Sequence, residues 1–256
     1  MKRLSILILA ATALLPLHAQ DKVEDFGIFD HLGANISVGT DGIGIELGAP
    51  ITNYAAMRAG FNFFPKIKVT PTVKYTNDFK NDPTSEYFNQ DKLSTRVQGK
   101  LNWMNGKVLF DAFPFGAKNS FHITAGLFFG TSEIMAIQNL DPIQRKDHLS
   151  GIEIGDYIIH EDAEGIIKAN IKVNSIKPYV GVGFGRPVPK KRIGVAMDLG
   201  VMFHGKPTVN AFSPDDNEWV PATSSDTGNE DGGAIDIASK IRVWPVLNVR
   251  LTGRIF

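Results

Sequence analysis

Six charged residues, Glu46, Arg58, Lys100, Asp111, Asp198 and Arg250, each stand on the polar side of a run in which polar and apolar residues alternate. If strands turn these side chains into one interior, two chemistries are open. They could line a solute path and select ions, or cancel one another as a neutral plug, because buried charges persist only when paired. The plug is the stronger expectation, since a narrow barrel is normally filled by its own side chains.

Other candidates are weaker. Residues 207–239 contain no Lys or Arg but many acids, among them Asp215, Asp216 and Glu218, which are conceivable Ca²⁺ ligands. Their setting, "DDNE", lacks the ordered spacing of a calcium loop and reads as a solvated external segment. His122 and His204 share the polar parity, while His31, His148 and His160 fall near strand ends or in loops, with no HExxH pair. "GVGFGR" (181–186) has a dinucleotide-loop spacing, but no helix follows it. No nucleophile elbow occurs. The chain is therefore expected to have no catalytic residues, no cofactor and no enzymatic activity.

Composition narrows the setting. The absence of cysteine excludes disulfides and thiolate chemistry, and Lys plus Arg equals Asp plus Glu at 27 each, so nothing points to nucleic acid. Lys2 and Arg3, an apolar run over 4–17 and then Ala19 form a signal-peptide pattern over 1–20, leaving 21–256 as one domain. No later run is long and apolar enough for a membrane-spanning helix.

The elements that must position the charges are strands. Period-two alternation covers 32–39, 43–49, 54–76, 97–114, 121–129, 178–184, 193–203 and 247–256, whereas only 233–243 carries a weak helical pattern. Asn105-Gly106 is a strong turn signal. Single-chain bacterial barrels have even strand counts. Either Asn105-Gly106 is a bulge in one long strand, giving eight strands, or both it and Pro65 break, giving ten; eight is preferred.

Which face meets water decides the class. Glycines 33, 39, 44, 48, 60, 126, 130, 181, 183, 185, 194 and 200 share the charged face with Asn35, Asn62 and His122. A solvated strand surface has little use for glycine, but a narrow lumen needs small neighbours beside large charged groups. The other face carries Phe61, Phe63, Trp103, Phe110, Phe121, Phe129, Phe184 and Phe203, as a lipid-facing surface with aromatic girdles requires. The fold expected is an all-β, closed, antiparallel up-and-down transmembrane barrel. Short links alternate with long ones, notably the external loops 131–176 and 206–244.

"KPYVGVGFGRPVPKKRIGVAMDLGVMFHGKPTV" (177–209), with "LFDAFPFGAKNSFHITAGLFF" (109–129), "VWPVLNVRLTGRIF" (243–256) and "VGTDGIGIELGAPITNYAAMRAGFN" (38–62), resembles the small Gram-negative outer-membrane barrels of OmpA, OmpW and CarO architecture. Many members of that family have no assigned activity. The resemblance implies an outer-membrane location, a monomer, and outer-membrane lipid or lipopolysaccharide as the surroundings. It implies a structural role or a narrow, porin-like passage for small solutes; the alternative is surface binding or adhesion through the long loops. Such barrels usually end with apolar residues at alternate positions back from a terminal Phe. Here Phe256 is preceded at those positions by Arg254, Thr252 and Arg250, a phase that a one-residue bulge would restore.

Overall fold

The computed structural model describes residues 27–144, 152–154, 157–214, 216–224 and 241–256. The expected signal peptide, Asp215, His148 and most of the helical candidate 233–243 lie outside the described residues. Eight strands form the barrel: β1 (Gly33–Gly39), β2 (Gly42–Thr52), β3 (Ala55–Phe63), β4 (Met104–Ala112), β5 (Phe121–Gly130), β6 (Ile176–Phe184), β7 (Ile193–Phe203) and β8 (Val243–Arg254). Each pairs antiparallel with its chain neighbours, and β1 pairs with both β2 and β8, so the sheet closes on itself. Closure leaves no unpaired edge, the condition for a sheet in hydrocarbon.

Alternation sorts the side chains as the sequence requires. Ile36, Phe61, Leu199 and Leu251 are 54–66% exposed on the outside, while Asn35, His122, Thr124 and Arg250 are fully buried within. Glycine supplies the interior space. A Cβ at Gly181 or Gly200 would collide with the Tyr179 hydroxyl, and one at Gly183 would lie 2.6 Å from His122 Nε2. Gly42 has a different task, taking φ +104° to turn the chain from β1 into β2.

The count of eight stands, but the two long strands expected at 54–76 and 97–114 both break at the barrel rim. The first stops at Phe63, just before Pro65, which has no N–H to give a ladder. The second resumes only at Met104. Asn105 and Gly106 are neither turn nor bulge; they lie in regular register inside β4, opposite Asn62 and Phe61 on β3 and Gly130 and Phe129 on β5. The reason is steric, since a Cβ on Gly106 would meet the Phe129 ring.

Many of the described residues beyond the rim are in strands. A seven-stranded sheet runs in the order Glu218–Pro221, Thr208–Ser213, Lys168–Lys172, Glu133–Asn139, Lys92–Leu101 and Lys68–Val69, with Thr72–Thr76 also pairing Lys92–Leu101. A smaller sheet joins Ile152–Ile154, Tyr157–Ile159 and Thr223–Ser224. The described residues of 131–176 and 206–244 thus form much of a collar. Tyr75, Leu93, Ile143, Ile159, Ile167, Ala169 and Ala211 give it a hydrophobic core of its own. Asn139, buried, ties the collar's turns together by donating to the carbonyls of Asp141 and Gly165 and accepting from the Ile167 N–H. Arg96 grips Asp141 through Nε at 2.8 Å and Nη2 at 2.7 Å, and this bond holds the Asp141 carboxyl down at about 2.

At the C-terminus the restoring bulge is absent. β8 keeps one register against β1 from Gly33↔Arg254 to Gly39↔Asn248, so Arg250 and Thr252 point inward and Val249 and Leu251 outward to the end. Phe256 lies beyond the strand and its carbonyl accepts from the Leu32 N–H.

The outer face should tolerate charge poorly. Leu199→Arg, in the middle of β7 and 57% exposed, should cost about 2–4 kcal/mol in lipid vesicles, read as a fall in the denaturant midpoint for unfolding.

Candidate lumen site

Arg58, on β3, occupies the middle of the barrel with 2% of its surface exposed. Its Nε and Nη2 take Asp111 of β4 in a two-pronged grip at 2.7 and 2.8 Å, while Nη1 lies 3.3 Å from both Asp198 of β7 and Glu46 of β2. Arg250 of β8 donates to Asp198 through Nε at 2.7 Å and Nη2 at 3.2 Å. Lys107 of β4 reaches Glu46 at 3.2 Å, and His122 of β5 meets Asp198 at 2.9 Å. Thr124 completes the shell by donating to Asp111 at 2.7 Å. Three carboxylates and the cations Arg58, Arg250 and Lys107 therefore neutralise one another where neither sign alone would survive burial.

Register explains how these side chains reach one another. Gly60 stands directly between Glu46 and Lys107 on neighbouring strands, and Gly183 stands between His122 and Asp198. Each pair joins across a residue that has no side chain.

The lumen is filled below and above this layer as well. At the short-link end, Arg186 donates through Nη2 to the carbonyls of Gly116, Asn119 and Asn53, and its guanidinium lies 4.0 Å over the Phe113 ring. Val188 beside it is 2% exposed. At the collar end, Trp103, Leu109, Phe128, Tyr179, Met202 and Val246 form a buried apolar layer. Lys177 crosses that layer, donating to Asn105 Oδ1 at 2.8 Å and the Thr131 carbonyl at 3.1 Å and lying 5.5 Å from the Trp103 ring.

Of the six residues singled out from sequence, Glu46, Arg58, Asp111, Asp198 and Arg250 come together. Lys100 does not: it is exposed on the outer face of the collar, opposite Lys68. The cation that belongs in its place is Lys107, which the turn-like reading of "WMNGKV" concealed. Trp103 also reverses its expected direction, standing 3% exposed in the apolar layer instead of facing lipid. His204 lies just past β7, where burial pushes its imidazole below the ordinary histidine range. Of the conceivable metal ligands, Asp216 accepts from Ser213 Oγ at 3.1 Å and Glu218 is exposed in the collar opposite Ser213. Among the described residues no group of three or more such side chains could hold a metal ion.

The chain is similar to two solved proteins, Acinetobacter baumannii CarO2 and Acinetobacter baumannii CarO. For CarO2 the identity is 19% and the TM-score 0.45, over 90% of this chain and 99% of that one. For CarO they are 19% and 0.43, over 89% and 99%. No family model and no curated protein matches the sequence.

The network makes a sharp contrast between two cations. Arg58→Met leaves buried Asp111 with no cation and takes one of the partners of Glu46 and Asp198, and should cost about 3–5 kcal/mol, whereas Lys100→Met should change stability by less than about 0.5 kcal/mol; urea unfolding of the two folded variants in vesicles measures both.

Proposed function

We propose that this chain is an integral outer-membrane β-barrel that works as a closed anchor, holding its collar in the medium outside a Gram-negative cell as a surface for binding. The observation that carries this reading is the distribution of packing. Side chains fill the lumen in an apolar layer, a charged layer and an Arg186–Val188 layer, while the long links build a structured body with its own core. A barrel selected for conduction has reason to keep its axis clear; one selected for display has reason to order what it displays.

The apolar belt supports the membrane setting. Exposed Ile, Val, Leu and Phe side chains encircle all eight strands, an area far beyond what a soluble monomer leaves uncovered. The rival reading, a narrow solute conduit, would use the same charges. It would require the Trp103–Tyr179 layer and the Arg186–Val188 layer both to move aside.

Orientation can be tested with single-cysteine reporters, because the chain has no cysteine of its own. Gln138→Cys on the collar should react with a membrane-impermeant maleimide on intact cells. Lys118→Cys in the link between β4 and β5 should react only after the outer membrane is permeabilised. Reversed labelling would overturn the display reading.

A further inference from the structure

The collar's outer face is basic where the strands Lys68–Val69 and Thr72–Thr76 pair with Lys92–Leu101. Lys68 and Lys74 on one side, and Lys92, Arg96 and Lys100 on the other, are all exposed. Cross-strand register puts them on one face: Lys68 opposite Lys100, Thr72 opposite Arg96, Lys74 opposite Ser94 and Thr76 opposite Lys92. None of these strands contributes an acid; Asp141, from outside them, takes up Arg96, and among the described residues Lys68, Lys74 and Lys100 have no ion pair. Two lysines directly opposite each other repel, an arrangement that a sheet gains nothing from unless an anion lies over it.

The height of the patch identifies the anion. From the last turn of the collar into the barrel, even-numbered residues stay on one exposed side: Lys92, Arg96, Lys100 and Asn102, then Met104 and Phe110 in β4. The basic face therefore continues the apolar belt upward on the same side of the wall. Lys100 lies four residues before Met104, at most about 14 Å along the extended chain at about 3.4 Å per residue. With a strand tilt of roughly 40° that is at most about 10 Å above the apolar belt, the level of lipid headgroups.

We infer that Lys68 and Lys100, flanked by Lys74, hold the phosphate groups of lipopolysaccharide in the adjoining outer leaflet. Lysine serves as a point-charge phosphate ligand without demanding a fixed geometry, which suits a headgroup that approaches from the side. This inference rests on the outward orientation proposed above and adds to it a specific lipid contact.

The test uses the full-length barrel, purified and folded in detergent, with binding to lipopolysaccharide vesicles measured at low salt. The wild type should bind lipopolysaccharide carrying phosphorylated lipid A and lose most of that binding when the lipid is dephosphorylated. Lys68→Gln with Lys100→Gln should weaken binding to the phosphorylated lipid about twenty-five-fold, from about a fivefold factor per lysine. Both side chains are exposed, so the double variant should keep its heat-modifiable migration. Lys100→Glu, which creates a cross-strand ion pair with Lys68, should leave the collar at least as stable while also weakening lipid binding, a split that a merely structural role would not produce. Equal binding by the double variant, equal binding of the dephosphorylated lipid, or complete displacement by inorganic phosphate at equimolar concentration would each overturn the inference. Failure here with correct cysteine labelling would leave the display reading intact, and reversed labelling with intact phosphate selectivity would do the opposite.

Discussion

The guanidinium of Arg58, held between Asp111 and Asp198 in the centre of the barrel, is the interaction on which the rest depends. Burying ion pairs adds little net stability, because desolvation offsets much of the attraction. Its effect is to fix orientation and register. A one-residue slip of any strand would send its whole inner set outward, and for β3, β4, β7 or β8 that would carry Arg58, Asp111, Asp198 or Arg250 into hydrocarbon. The network therefore makes the wrong barrel far more costly than the right one, while the outer face, uniformly apolar, discriminates weakly between registers. The glycines belong to the same constraint, since Gly60 and Gly183 are what allow charges on next-but-one strands to touch.

The collar obeys the opposite rule on the same strands. Along the odd-numbered, inward residues from Leu93 to Asp111 the balance shifts at the rim: Leu93, Val97 and Trp103, with Thr95 the polar member, give way to Asn105, Lys107 and Asp111, with Leu109 the apolar member. Outside the membrane, water lies beyond the sheet and oil is packed within. In the barrel, lipid lies beyond the sheet and a charged layer is packed within, beneath the apolar one that Trp103 and Leu109 share. Trp103 sits at the inversion, where its ring stacks 5.2 Å from that of Trp244 and closes the lumen beneath the collar core.

This inversion also explains what could be read from the sequence. Barrel class, the eight-strand count, the inward glycines and five of the six network residues follow from period-two alternation, which is strong where one face meets lipid. Lys100 and Trp103 were misplaced because one strand path obeys two solvents: its hydrophobic pattern reverses although its geometry does not, and a reversed pattern looks like a turn or a bulge at Asn105-Gly106. Lys107 was hidden by the same signal. The collar itself was not legible, since its strands Glu133–Asn139, Lys168–Lys172 and Thr208–Ser213 bury both faces in part and so lack clean alternation. The Arg186 layer was unreadable for another reason: its partners are backbone carbonyls of Gly116, Asn119 and Asn53, which leave no trace in residue types.

The central claim, that the lumen is closed by its own side chains, is tested most directly by single-channel recording of the folded protein in a planar bilayer. The account predicts a silent membrane under voltage at high salt. Discrete, salt-dependent current steps from the folded barrel would contradict it.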